Sequence, residues 1–277
     1  MASVQLIDTW EAARAACARL REHRLLALDM EGAPLATRAS LLQLAVSPQE
    51  VYVFDVHTLG RGLFETAAYL LPILTDGSIH KLCYDCRGDG CALLQQFGVR
   101  ASGMYDLQIV YASLRARAPG LLKLTPQPQP DMFLKGLHKA VAHILSPEAA
   151  SAFAQRKREW KLEWQKTGAQ NARVMQRPLA PDALAYAAAD VEHLFALYRE
   201  WAPYFLTLGV VHASDARLAR ATAAMDVGLM DSDDETVAMM KALIDFPPLQ
   251  PRIRRLMFRY APSSLTPRRA QLAAQRI

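Results

Sequence analysis

The sequence predicts an α/β domain built on a mixed sheet, and three observations carry that prediction. Three short strand patterns follow one another through short links, a fourth arrives after a helical pattern, and from residue 132 the apolar spacing is largely helical. Hairpin-linked strands favour an antiparallel meander, whereas a strand reached through a helix favours parallel pairing. The expected architecture is an antiparallel three-strand meander plus parallel strands, flanked by helices, with a mostly helical C-terminal extension.

Residues 8–23, DTWEAARAACARLREH, read as a helix that Asp8 or Thr9 can cap, with Trp10, Ala13, Cys17 and Leu20 at helical spacing. The strand patterns are LLALDME (25–31), SLLQLAVS (40–47) and EVYVFDV (50–56). Next, LGRGLFETAAYLLPILTD (59–76) reads as a helix stopped near Gly77. HKLCYD (80–85) reads as the fourth strand and GCALLQQFG (90–98) as a helix with Gly98 past its end. MYDLQIVYASL (104–114) is compatible with a strand that continues as a helix, although periodicity alone does not decide it. Prolines punctuate 118–131, which reads as a loop. Helical patterns cover roughly 132–166 and 181–204, the second introduced by RPLAPD (177–182). The acidic run DSDDE (231–235) separates a further helical segment from a basic end, and we divide the chain into 1–205 and 206–277.

Composition narrows the function classes. With 52% hydrophobic and 21% charged residues, a sizeable core forms and wholesale disorder is excluded. No run approaches the ~18 apolar residues of a membrane span. The N-terminus lacks a basic region ahead of an apolar stretch, and the 4 cysteines are too few for a disulfide scaffold. We expect a soluble intracellular protein of the cytoplasm, the nucleus or an organelle, with no membrane partner. Net charge is +5, but residues 246–277 hold 7 arginines and no lysine or acid, leaving a slightly acidic body. A basic end on such a body suits an anionic partner such as nucleic acid. A solvated tail that maintains solubility is the plain alternative.

The carboxylates are more telling. Asp29 and Glu31 end the first strand, where period-two geometry puts both on one face and lets them share a divalent cation. Chance supplies about 0.6 Asp-x-Glu pairs in a chain of this composition, so the pattern alone is weak. Of the three present, only this one follows an apolar strand. Asp89 lies at or just before the start of a helix, where the dipole favours an acid and capping is an alternative use. Tyr186 and Asp190 are i and i+4 on a helix whose intervening alanines permit close approach to a sheet. Acids at the end of one strand, after another strand and on a late helix are a recurring way to build a two-metal phosphoryl-transfer site.

In that order, DMEG, then CYDCRGDGCALLQQFGV followed by MYDLQ, then RPLAPDALAYAAADVEHLFALY, the chain resembles the DEDDy 3′–5′ exonucleases of the RNase D superfamily. Among them it is most similar to the Egalitarian-like group, over residues 4–205. The resemblance implies an RNase H-like fold and a hydrolase using two Mg²⁺ or Mn²⁺ ions. It matches Asp29, Glu31, Asp89 and Asp190 to the family's metal-holding carboxylates and Tyr186 to the tyrosine that positions the attacking water. Such an enzyme removes nucleotides from a free 3′ end and releases 5′-monophosphates. Asp85 stands where many relatives carry asparagine or histidine, and ranks below the four acids; Asp106 matches a frequent family aspartate and reads as structural.

Arg156, Lys157, Arg158, Lys161, Lys166, Arg173 and Arg177 form a basic stretch interleaved with Trp160 and Trp164. Phosphate contact and base stacking use this mixture, while a buried tryptophan stripe with a solvated charged face is the plainer reading. His80, Cys83, Cys86 and Cys91 have zinc-like spacing, but buried thiols explain them better. The chain is therefore read as a metal-dependent 3′–5′ exonuclease, with single-stranded RNA favoured over DNA. The alternatives are a catalytically silent RNA-binding adaptor on the same fold and a DNA-directed exonuclease. A protein partner is expected, if anywhere, through 206–277.

Overall fold

A computed structural model describes residues 3–32, 38–117, 122, 134–167, 172–204 and 207–226. Strand β1 (Ser3–Ile7) leads into helix α1 (Trp10–Arg21), which Thr9 caps by accepting from the Ala12 N–H. The meander follows as β2 (Leu25–Glu31), β3 (Leu41–Ser47) and β4 (Glu50–Asp55), antiparallel throughout. Three single turns, α2 (Val56–Leu59), α3 (Gly62–Glu65) and α4 (Leu71–Thr75), lead to β5 (His80–Cys83). Then come α5 (Arg87–Phe97), β6 (Met104–Asp106) and α6 (Leu107–Arg117). The second half holds α7 (Leu137–Val141), α8 (Pro147–Thr167), α9 (Ala172–Met175), α10 (Pro181–Glu192), α11 (Leu194–Trp201) and α12 (Thr207–Asp226).

The sheet runs β1-β4-β3-β2-β5-β6, with β1 parallel to β4 and with β5 parallel to both β2 and β6. This is the mixed sheet the sequence predicts, flanked by helices on both faces, with a helical C-terminal part. Strand alternation divides the core. Leu26, Leu28 and Met30 face α1 and α5, whereas Ala27, Val51 and Val53 face α10, α11 and α6. Helix α10 lies across β2, β3 and β4. Its Ala183, Ala187 and Ala188 are fully buried, so small side chains let its backbone approach the strands.

Several expectations need correction. β1 was not anticipated; its partner lies 47 residues downstream, Ser3 pairing with Glu50. The helix expected over 59–76 is instead the two short turns α3 and α4, with α2 ending at Leu59. Gly60 adopts φ +67°, which a side chain disfavours, and Thr66 is extended, so neither continues a helix. α5 starts three residues earlier than expected, placing Asp89 inside its first turn instead of at a cap. The stretch 132–166 contains two helices, and 181–204 breaks at His193. The 104–114 segment does switch from strand to helix, at Asp106 and Leu107. Apart from Leu122 the proline-rich loop, and all of the basic end, lie outside the described residues.

Candidate active site

Asp29 and Glu31 share parity with Ala27, so β2 turns all three toward α10. Gly32 follows at φ +77°, where a Cβ would lie 2.8 Å from the Arg38 carbonyl; only glycine turns the chain this tightly behind Glu31. From α10, Asp190 meets them: Asp29, Glu31 and Asp190 each offer a carboxylate oxygen within 4.8 Å of the other two. Among the described residues this is the one cluster of three or more His, Cys, Asp or Glu side chains so arranged. Asp89, buried in the first turn of α5, is close enough for its charge to interact with Asp29 and Glu31.

Crowding buried anions raises their proton affinity. Burial first, then the neighbouring Asp190, pushes Asp29 up to about 8 despite the opposing charge of Lys157. Glu31 and Asp89 are held well above the usual carboxylate range by burial and by the other acids. Cations relieve that repulsion. The donor set is all oxygen, and Asp190 Oδ1 is buried with no protein hydrogen-bond partner, so hard ions such as Mg²⁺ or Mn²⁺ fit these residues. The four cysteines, in contrast, are buried, and burial pushes Cys17 up to about 12 and Cys83 well above the usual thiol range.

Tyr186 sits one turn before Asp190, and its hydroxyl accepts a hydrogen bond from Lys157 Nζ at 3.1 Å. The same ammonium donates to Asp190 Oδ2. Burial and the Glu31 charge raise the Tyr186 phenol, which stays protonated. Burial alone would lower Lys157, but Asp190, Tyr186, Glu31 and Asp29 together hold it charged. Trp160 stacks on Tyr186 with centroids 4.0 Å apart, and the Arg173 guanidinium lies 4.6 Å above Trp160. A cavity of about 220 Å³ opens here, presenting Asp29, Asp190, Lys157, Tyr84, Asp85 and Gln108. Cavity and acids together suit a phosphodiester, whose charge needs cations and whose hydrolysis needs an oriented water.

Residues 4–203 match the model of the 3′–5′ exonuclease family, well over half of the chain. The chain belongs to the 3′–5′ exonuclease family. Solved structures agree on the fold. Trypanosoma brucei RNase D in complex with GMP is 23% identical with a TM-score of 0.66, covering 87% of this chain and 71% of that one. The same enzyme with RNA U12 gives 25% identity and a TM-score of 0.63, over 87% and 78%. The Aedes aegypti Nibbler EXO domain gives 19% and 0.54, over 87% and 95%. No curated protein matches the chain. No helix among the described residues is long and apolar enough to cross a membrane.

In this exonuclease the basic stretch divides. Lys157 enters the carboxylate cluster, and Arg156 and Arg158 are exposed on α8. Arg173 pairs with Asp182 besides covering Trp160. Arg177 is committed elsewhere: its fork grips the buried Asp55, both bonds 2.6 Å. The side chains of Lys161, Trp164 and Lys166 lie outside the described residues. Sequence reasoning ranked Lys157 only as a phosphate contact and passed over Gln43. That amide is fully buried opposite Asp29, with neither polar atom bonded to protein. A polar residue in the middle of an apolar strand was the available signal. Lys157→Met is expected to lower kcat/KM by roughly 10²-fold. Initial rates on a labelled oligonucleotide check this, and a normal rate would show that the ammonium is dispensable.

Proposed function

We propose that this exonuclease degrades single-stranded RNA from its 3′ end, in preference to DNA, and releases 5′-monophosphates. Asp29, Glu31, Asp89 and Asp190 would hold two divalent cations, Mg²⁺ or Mn²⁺. Bound there, the cations would supply an activated water and neutralise charge on the leaving oxygen. Tyr186 orients the attacking water as a neutral phenol, and Lys157 holds that phenol in place while facing the phosphate. Arg156 and Arg158, exposed on the same helix, guide the strand. The observation that carries this reading is the Asp29–Glu31–Asp190 cluster, of which Asp29 and Asp190 line the cavity.

Preference for RNA is supported by the RNA U12 complex of T. brucei RNase D, 25% identical to this chain. The quoted motifs support placement with the Egalitarian-like group, and the low cysteine count suits action inside the cell. We take residues 1–205 as the exonuclease unit and 206–277 as an extension that packs on it through α12 and is otherwise open to a protein partner.

The deciding experiment follows 5′-labelled single-stranded RNA and DNA of one sequence with Mg²⁺, Mn²⁺ or EDTA. RNA shortened from the 3′ end faster than DNA, and silence in EDTA, is the expected result. Faster loss of DNA makes the enzyme DNA-directed, and RNA bound but uncut in both metals makes it an adaptor. Tyr186→Phe should slow degradation by about 10- to 10²-fold without changing Mn²⁺ affinity; an unchanged rate would remove the hydroxyl from the mechanism.

A further inference from the structure

An ionic cluster outside the four acids ties α12 to the cavity wall. Arg217 on α12 is 0% exposed. Its guanidinium donates to Asp106 Oδ2 and to Gln108 Oε1, the latter at 2.7 Å, and lies 3.2 Å from Asp85 Oδ1. Asp106 Oδ1 in turn accepts the Asp85 and Gln108 N–H groups, both at 2.9 Å. Asp85 has φ +63°, a conformation that side chains rarely adopt, so these bonds help hold its turn. Two more residues of α12 dock on β6: Ser214 Oγ accepts from the Asp106 N–H and Asp215 from the Met104 N–H. Leu218 fills the space at Gly90, the residue after Asp89, where a Cβ would lie 2.1 Å from it. Asp85 and Gln108 line the cavity beside Asp29 and Lys157.

We propose that Arg217 is a positioning residue of the exonuclease site, setting Asp85 and Gln108 against the cavity that receives the terminal nucleotide. Helix α12 then serves the catalytic unit although the family match ends at residue 203. The inference rests on the function proposed above. A guanidinium suits the task because its planar fork serves Asp106, Gln108 and Asp85 at once, whereas a lysine offers a single point of charge. Arg87, bonded to both oxygens of Asp85, fixes the same carboxylate from the other side. Burial alone would raise Asp85, but Arg87 and the Arg217 charge hold it below the usual range, so the wall carries an ionised group.

The test compares full-length Arg217→Lys, Asp85→Asn and their double variant with wild type on a labelled oligonucleotide. Arg217→Lys keeps a cation beside buried Asp106. It should raise KM about tenfold, leave kcat within about threefold and leave Mn²⁺ affinity unchanged. Because Arg217 acts in part through Asp85, the double variant should lose less than the two single losses combined. An unchanged KM in folded Arg217→Lys, or additive losses in the double variant, overturns the proposal. If Arg217→Lys fails to fold, Asp85→Asn and Gln108→Ala decide: both should raise KM, and a normal KM in both overturns it. Wild type inactive on every nucleic acid would instead refute the proposed function. Calorimetric binding of GMP by the same variants then judges the positioning role separately, a tenfold loss supporting it and an unchanged affinity overturning it.

Discussion

Asp29→Asn and Asp190→Asn should each lower exonuclease activity by on the order of 10³-fold or more, with the fold intact. Each removes one of the carboxylates that come within 4.8 Å of one another, and an amide neither carries the charge nor binds a hard cation as well. The same change relieves crowding. Burial and neighbouring acids raise Asp29 and Glu31, so in EDTA the Asp29→Asn variant should melt at or above the wild-type temperature, whereas Asp190→Asn also takes the buried partner from Lys157 and should melt somewhat lower. In Asp29→Asn, loss of activity without loss of stability separates a site residue from a structural one. Initial rates and thermal melts on one preparation check both; substantial activity in either variant would refute the assignment.

Chelation should abolish activity as completely, and it exposes a pH dependence that metal would mask. The folded pKa of Asp29 is pushed up to about 8, against about 3.9 in an unfolded chain. The folded state therefore holds the proton longer. The stability this group contributes is full below about pH 4 and is lost as pH rises through about 8. His143 and His193, depressed by burial, act oppositely, their contribution being lost as pH falls below the usual histidine range. The difference between wild type and Asp29→Asn isolates the carboxylate. In EDTA wild type should lose ground to the variant between pH 5 and 8.5, and Mn²⁺ added at pH 8.5 should restore it. Parallel melting curves across that range would mean the acids are not packed together.

The clustering of the acids was legible because local geometry reports it. Alternation along β2 puts Asp29 and Glu31 on one face, and the helical repeat does the same for Tyr186 and Asp190. Thr9 as a cap and Gly98 in the left-handed region were equally local. Elements failed where the deciding partner is remote in sequence. β1 is a strand because Glu50–Phe54 lie beside it. The 59–76 segment has helical spacing, yet Gly60 and the need to return to β5 break it. Trp160 read as a choice between core and base stacking, and it does neither simply: half-buried, it stacks on Tyr186.

By itself the sequence determined the fold class, the meander, and which acids and tyrosine share a face, because strand and helix periods are properties of the chain. Only the tertiary structure decided that Lys157 enters the acid cluster, that Arg177 is taken by Asp55, and that Arg217 reaches the cavity wall from α12. All three are cations on long side chains. Their partners are chosen by which acids burial deprives of water, and that burial exists only once β2, β6, α8, α10 and α12 have packed together.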